Sequence, residues 1–330
     1  MSFSNCLIGG SGRSGSTILK KILHQHPEIF SLPYELQFTV CPDGLIDFYC
    51  SVGSCWSPQL YDLKISRLRL ILETIGQESS TMTHIFSRIL RISGLSKIMN
   101  IKTVPSYDQY SLAKYCENYT KLVDNFIDEL IDFKYSGWFI GHNYFHRELI
   151  HFGVSRTSEE LAKIIRKFYT SVIKNVMGDY NSKIFVDDTP WNLLLFDKVV
   201  QILPDSKLIH IYRDPRDVIA SYLYKDWAPS NPIKAAKYYK SCMEHWWRIR
   251  EKLNKDSYFE VNFESLINDT ERTLKNMCAF LDMEWNNDLL DIDLSKGNIG
   301  RWKQDFDHEN RKILCNYLKN ELDQLGYDLE

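Results

Sequence analysis

The beginning of the chain constrains the fold most, because an apolar run leads through glycine and serine into a helical pattern. The run Cys6-Leu-Ile predicts a buried strand, and Gly and Ser fill much of residues 9–17. Apolar residues over 18–23 then recur at helical spacing, and His26-Pro27 ends the predicted helix. A strand, a glycine-rich turn and a helix in this order indicate a βα unit. Backbone N–H groups at the start of such a helix can bind an anion such as phosphate.

The same alternation returns near residue 183, after a long interruption. Residues 184–186 and 208–212 predict strands, 192–203 predicts a helix, and Asp214-Pro215 is a favourable start for the next helix. Strands that alternate with helices predict an α/β fold with a central parallel sheet, whose ligands bind beyond the carboxyl ends of the strands. The remaining predicted elements are a strand over 258–263 and helices over 233–253, 270–281 and 308–325.

Residues 39–183 have a different character, mostly helical and aromatic, with the clearest helical patterns over 63–74, 110–134 and 159–177. We interpret this stretch as a large helical insertion or cap. With about 150 residues expected per domain, the 330 residues fit one domain that carries such an insertion.

Composition excludes several classes of protein. Forty Lys and Arg against 43 Asp and Glu give a formal charge of −3, which argues against broad binding to nucleic acid or anionic lipid. The eight cysteines show no CxxC pairs, so we expect reduced thiols, no metal site and a cytoplasmic protein. The first residues run directly into a predicted strand, which argues against a secretory signal and a membrane anchor.

The glycine-rich loop differs from the nucleoside-triphosphate loop G-x-x-x-x-G-K-[ST] at its most important position. Ser16 occupies the place of the lysine that contacts the β and γ phosphates. Arg13 instead places a permanent planar cation within the loop, suited to two-pronged contact with an oxyanion. A small-molecule kinase is therefore the weaker interpretation.

Two motifs together resemble the sulfotransferases that use 3'-phosphoadenosine 5'-phosphosulfate (PAPS). The segment Arg13-Ser-Gly-Ser-Thr17 is similar to the family's 5'-phosphosulfate loop. The segment Arg213-Asp-Pro-Arg-Asp-Val-Ile-Ala-Ser221 resembles its 3'-phosphate motif, R-D-P-R-D-x-x-x-S. The resemblance implies a three-layer, P-loop-like fold, a donor loop of Arg13, Ser14, Gly15, Ser16 and Thr17, and a 3'-phosphate site that includes Arg213 and Ser221. It implies no metal.

A third segment, Lys296-Gly-Asn-Ile-Gly300-Arg-Trp-Lys303-Gln-Asp-Phe306, resembles R-K-G-x-x-G-D-W-K-N-x-F of cytosolic sulfotransferases. It implies that Lys296, Gly297 and Arg301 help to bind the donor, with Arg301 compensating for Ser295 in the place of the leading Arg. Phe263 stands where the family often has an aromatic side chain near the adenine, and an ordinary core Phe is an equal alternative.

The acceptor must lose a proton as it attacks sulfur, and a positioned base supplies typically about 10²–10⁴-fold in rate. Glu35 is our first candidate, because it follows a presumed second strand, where the resemblance to tyrosylprotein and heparan-type sulfotransferases places the catalytic Glu. Cytosolic members use a His, for which His142 and His146 are the alternatives.

Asp188, in Asp187-Asp-Thr-Pro-Trp191, stands where many relatives carry a lysine. Without that lysine, stabilisation of the leaving group would fall to Arg13, the loop amides and Lys303. An aspartate there would also make the pocket acidic, which would favour a polyol or cationic acceptor. The alternative is that Asp188 or Thr189 caps the following helix.

The resemblance implies an enzyme that transfers a sulfuryl group from PAPS to a hydroxyl or amine of a small-molecule acceptor, such as a natural product, and releases adenosine 3',5'-bisphosphate (PAP). A P-loop kinase and a non-catalytic nucleotide-binding module are the rival interpretations. The sequence carries no signal for the oligomeric state.

Overall fold

The computed structural model describes residues 3–76, 111–139, 148–178, 181–294 and 297–329. The chain divides into two compact units, Met1–Leu36 with Asn181–Glu330, and Gln37–Tyr180. The second unit coincides closely with the predicted insertion. That the whole chain acts as one sulfotransferase domain stays a prediction.

The described residues form seven strands and thirteen α-helices. The strands are β1 (Ser4–Gly9), β2 (Ile29–Ser31), β3 (Phe133–Gly137), β4 (Glu148–Phe152), β5 (Ile184–Asp187), β6 (Lys207–Tyr212) and β7 (Tyr258–Asn262). The α-helices are α1 (Ser16–Leu23), α2 (Leu45–Ser54), α3 (Pro58–Gly76), α4 (Tyr119–Leu130), α5 (Ser158–Met177), α6 (Asn192–Ile202), α7 (Pro215–Tyr222), α8 (Pro232–Arg250), α9 (Phe263–Asn268), α10 (Thr270–Leu281), α11 (Trp302–Asp305), α12 (His308–Tyr317) and α13 (Lys319–Leu325).

The first unit is built on a parallel sheet. Within its described residues, five strands lie in the order β2-β5-β1-β6-β7, and each neighbouring pair is parallel. This arrangement confirms the predicted α/β fold with a central parallel sheet. Because the strands are parallel, the segments that follow β1, β2, β5, β6 and β7 leave the same edge of the sheet.

Side chains that alternate along the strands form the two faces of the sheet. One face buries the pairs Cys6 and Ile8, Ile184 and Val186, and Ile209 and Ile211 against apolar residues of α1, α9 and α10. On the other side, α6 contacts β1 and β6, and Trp246 of α8 packs edge-on against His210 at 5.2 Å. Helices therefore cover both faces, as the near-continuous apolar character of the strands requires.

The second unit is mostly helical and also contains a hairpin that the sequence did not predict. The predicted helix over 110–134 is wrong in part: a 3₁₀ turn at Leu112–Lys114 precedes α4, and the chain turns extended at Ile131. β3 then pairs antiparallel with β4. The rings of Phe133 and Phe152 stack across this pair at 4.6 Å. Such cross-strand aromatic contact stabilises a hairpin and outweighs the local helical pattern.

Two further boundaries bear on the sequence predictions. Asp214 caps α7 by accepting a hydrogen bond from the Arg216 N–H, with Pro215 in the first turn, as expected. The predicted last helix over 308–325 is divided, because the backbone of the buried Leu318 leaves helical geometry between α12 and α13. Among the described residues, no helix has the length and apolar character needed to cross a bilayer.

Candidate functional site

The glycine-rich loop after β1 has the backbone shape of an anion cradle. Gly12, Arg13 and Gly15 all have positive φ angles, of 80°, 59° and 109°. Positive φ is uncommon for an arginine, and such strain clusters at functional sites. Turns with residues in the left-handed region can direct backbone N–H groups towards an anion such as phosphate or sulfate.

The start of α1 leaves its first amide groups available to a ligand. Its N-cap is Gly15, no side chain caps the helix, and its first turn contains no acidic residue. Ser14 is 1% exposed, and its buried hydroxyl has no hydrogen-bond partner within the described residues. Uncapped N–H groups and a buried, unpartnered hydroxyl are suited to an anionic ligand.

The structure brings the first two predicted motifs together. Arg13 Nε donates a hydrogen bond to Ser221 Oγ at 2.9 Å, across 208 residues of sequence. The neighbouring Tyr222 donates from its hydroxyl to the carbonyl of Ser11. The end of α7 is therefore attached to the loop by two adjacent residues.

Arg213 lies at the carboxyl end of β6, as predicted, and its guanidinium is held on several sides. It lies over the Phe263 ring, 5.0 Å from the centroid, and donates to Asp217 Oδ2 at 3.0 Å and to the carbonyl of Asn298. Its side chain is 11% exposed. The buried Nε has no hydrogen-bond partner in the described part of the chain. The structure therefore leaves one donor of this guanidinium unsatisfied inside the protein.

Phe263 belongs to the core, which corrects its predicted place beside an adenine. Its side chain is 2% exposed and packs among the apolar residues beneath the sheet. A Cβ on Gly15 would lie 2.5 Å from Phe263 Cδ2, so the ring also supports the loop from below. With Arg213 over the ring and Gly15 against it, Phe263 presents no exposed face on which a base could stack.

The C-terminal segment reaches the same region, and Arg301 in it differs from expectation. Gly297 is half-buried against Ile267, while Lys296 lies outside the described residues. Arg301 donates to Asp305 Oδ2 at 2.6 Å and lies 4.8 Å from the centroid of Tyr224. Its charge is thus paired locally, which argues against compensation for Ser295.

Lys303 lines a different cavity from the loop, which corrects its expected part in leaving-group stabilisation. That cavity lies between α11 and α12 and has a volume of about 360 Å³. Its other lining residues are Trp302, His308, Arg311, Lys312, Cys315, Asn316 and Leu329.

Glu35 shares a cavity with the loop, as the prediction of its role requires. The cavity has a volume of about 310 Å³ and lies at the carboxyl edge of the sheet. Residues that carry a carboxylate, a guanidinium and hydroxyl groups therefore line one cavity. Its lining residues are Gly12, Arg13, Ser16, Thr17, Glu35, Pro190, Trp191, Trp227 and Tyr238.

Asp187 fixes the chain beside Glu35 and was missed by the sequence analysis. It is fully buried at the end of β5, and its Oδ1 accepts from the Leu36 N–H at 2.7 Å and from Thr189 Oγ1 at 2.9 Å. Its Oδ2 accepts from Asn192 Nδ2 at 2.7 Å. Burial raises the pKa of the Asp187 carboxyl, and these hydrogen bonds act in the opposite direction. The sequence signal that could have indicated this role is an acidic residue at the end of a predicted buried strand.

Asp188 does not make the cavity acidic, which corrects the basis for a cationic acceptor. The carboxylate is fully buried, and Lys20 Nζ lies 2.6 Å from its Oδ1. Neither Asp188 nor Thr189 caps α6, because that helix has Trp191 at its N-cap without a side-chain bond. The buried pair instead joins α1 to the segment after β5.

The aromatic wall of the cavity was also missed. Trp191 packs edge-on against Trp227 and Tyr238, at 6.3 and 6.4 Å between centroids. These residues come from three separate parts of the first unit, so no local pattern could have grouped them. The alternative bases His142 and His146 lie outside the described residues.

Comparison with protein families gives one match to more than half of the chain. The model described as "Sulfotransferase family" matches residues 104–287. This range contains the Arg213 to Ser221 motif, whereas the glycine-rich loop and Glu35 precede it.

Solved structures and curated proteins give distant similarities. The sulfotransferase domain from the curacin biosynthetic pathway has a TM-score of 0.52 at 15% identity, over 100% of this chain and 99% of that one. The sulfotransferase domain of the Synechococcus PCC 7002 olefin synthase has a TM-score of 0.47 at 17% identity, over 93% and 84%. An uncharacterized protein of Aquifex aeolicus (strain VF5) is 21% identical over 144 residues, which is 40% of this chain and 18% of that protein. The curacin-pathway similarity supports the shared P-loop-like fold.

Proposed function

Because the chain belongs to the sulfotransferase family, we propose that it transfers a sulfuryl group from PAPS to a hydroxyl or amine of a small-molecule acceptor, releasing PAP. The observation that carries the proposal is the 2.9 Å hydrogen bond from Arg13 to Ser221. It joins the loop suited to the 5'-phosphosulfate to the motif suited to the 3'-phosphate. A donor with phosphates at both positions matches that arrangement, whereas ATP has no 3'-phosphate.

The residues present fit such a donor. The orphaned Ser14 hydroxyl and the uncapped start of α1 are suited to the 5'-phosphosulfate, together with Arg13, Ser16 and Thr17. An arginine at the end of β6 with one donor unsatisfied is suited to the 3'-phosphate, and Ser221 follows eight residues later in the same motif. We propose that Gly297 and Lys296 complete this side, on the strength of the sequence resemblance alone.

When bound, PAPS would supply the activated sulfuryl group, and the chain's own residues would position and polarise the reactants. Glu35 would accept the acceptor's proton, because Glu35 and Arg13 line the same cavity. Arg13 and the loop N–H groups would stabilise the negative charge that arrives on the 5'-phosphate oxygen. No step of this mechanism is assigned to a metal ion.

We propose a natural-product acceptor of unspecified charge, since Asp188 no longer argues for a cation. The fold similarity to a domain from the curacin biosynthetic pathway agrees with this class. We further propose that residues 1–330 act as one sulfotransferase domain and that the protein works in the cytoplasm.

Arg213→Ala tests the donor assignment. We expect the KM for PAPS to rise by about 10- to 100-fold, since charge-assisted hydrogen bonds to the 3'-phosphate would be lost. The KM for the acceptor should stay unchanged. Initial rates at varied donor and acceptor concentrations measure both, with the exposed Arg248→Ala on α8 as the matched control. An unchanged KM for PAPS would contradict the assignment.

A further inference from the structure

Asp217 is a buried carboxylate whose contacts converge on the proposed 3'-phosphate side of the site. It lies in the first turn of α7, and its side chain is fully buried. Its Oδ2 accepts from the Gly300 N–H at 2.8 Å and from Arg213 Nη2 at 3.0 Å. Its Oδ1 accepts from the Trp302 N–H at 2.9 Å. Both oxygens are therefore engaged, by the strand-end arginine and by the C-terminal segment.

These bonds connect parts of the chain that are far apart in sequence. Gly300 and Trp302 lie 83 and 85 residues after Asp217. The same segment contacts Arg213 a second time, because the carbonyl of Asn298 accepts from Nη2. Arg213 Nη2 therefore has two acceptors, the Asp217 carboxylate and the Asn298 carbonyl. Asp217 also binds the segment that contains Asn298.

The contacts fix the orientation of the Arg213 guanidinium. The Phe263 ring supports one face, and Nη2 is fully occupied by Asp217 and Asn298. A guanidinium has five N–H donors in a rigid planar fork, so fixing one edge also fixes the direction of the rest. Asp217 therefore also fixes the direction of Nε, which has no hydrogen-bond partner within the described residues.

We infer that Asp217 is a positioning residue that gives the site its preference for a 3'-phosphorylated nucleotide, by holding Arg213 and the segment around Gly300 in register. The inference rests on the proposed function, because it takes Arg213 as the 3'-phosphate ligand. It adds a residue that would never contact the donor itself.

Charge and position predict opposite outcomes for Asp217→Asn, which makes the inference testable. Asp217 is an anion close to the proposed phosphate site. If its charge alone mattered, its removal would strengthen binding of a 3'-phosphate. If its position matters, the substitution weakens binding. The carboxylate accepts from Gly300 and Arg213 through one oxygen and from Trp302 through the other, whereas an amide has only one acceptor oxygen.

The experiment is calorimetric titration of wild type and Asp217→Asn with PAP and, separately, with adenosine 5'-monophosphate. We expect the PAP affinity of the variant to fall by about 10-fold or more, the loss of one charge-assisted contact, with the monophosphate affinity unchanged. Asp305→Asn, in the same segment but paired with Arg301, is the control and should keep the wild-type ratio of affinities.

Each other outcome has a definite meaning. The ratio of the affinity for PAP to the affinity for adenosine 5'-monophosphate decides the matter. If this ratio is unchanged or increased in Asp217→Asn, the inference is overturned. An equal fall of both affinities, which a purely structural role predicts, would also overturn it. If Asp217→Asn does not fold, Asp217→Glu replaces it, since the charge is kept and the carboxylate is displaced by one methylene. The ratio should again fall. A wild type that binds both nucleotides equally would instead contradict the proposed donor.

Discussion

Glu35→Gln is expected to lower kcat for sulfuryl transfer by about 10²–10⁴-fold, the range typical of a lost general base. The amide has nearly the shape of the carboxylate but cannot accept a proton. Binding of PAP should be unchanged, because the proposed contacts to the nucleotide come from the loop, Arg213 and Ser221. Single-turnover rates and a PAP titration on the same preparation separate the two effects.

Glu28→Gln is the matched control, since Glu28 lies before β2 rather than after it and pairs with Lys183. It should keep the wild-type kcat. If Glu35→Gln also keeps full activity, Glu35 is not the base, and His142 and His146 become the candidates to change next. Loss of PAP binding in Glu35→Gln would show that the substitution disturbs the loop instead.

Lys20→Met is expected to lower the free energy of unfolding by about 3–5 kcal/mol, the usual cost of breaking a buried ion pair by removing one partner. The side chains of Lys20 and Asp188 are 7% and 0% exposed. Removal of the ammonium leaves the Asp188 carboxylate buried without its counter-charge, next to the buried Asp187. The pair joins α1 to the segment that carries Pro190 and Trp191, so PAP binding should weaken as well.

Denaturant unfolding measures this effect, and two further variants interpret it. Lys20→Met/Asp188→Leu should recover much of the lost stability, because replacing both partners removes the uncompensated charge. Lys167→Met is the control, since Lys167 pairs with Glu129 on the surface and its removal should cost less than about 1 kcal/mol. If Lys20→Met is no more destabilising than this control, the pair is not buried as described.

The local patterns of the sequence predicted the framework of the site. A strand, a glycine-rich turn and a helix occur at β1 and α1, and Asp214-Pro215 begins α7, because each depends on residues adjacent in sequence. The place of Glu35 in the loop's cavity followed from its position after a strand. Its catalytic role stays a prediction.

Contacts between distant residues could not be predicted in this way. Asp187 accepts from Leu36 across 151 residues, and Asp217 from Trp302 across 85. Lys20 occupies a helix position that a sequence pattern would assign to the surface, and only the tertiary structure shows the buried carboxylate it meets. Phe263 fitted a ligand contact and a core position equally well until Arg213 and Gly15 were seen against its ring.

Calorimetric titration of the wild-type protein with PAP, and separately with ATP and magnesium, tests the donor assignment most directly. We predict saturable binding of PAP and much weaker binding of ATP, because Arg213 and Ser221 are suited to a 3'-phosphate and Ser16 replaces the lysine that would contact the β and γ phosphates. Binding of ATP with magnesium, together with no binding of PAP, would contradict the sulfotransferase mechanism and favour a kinase.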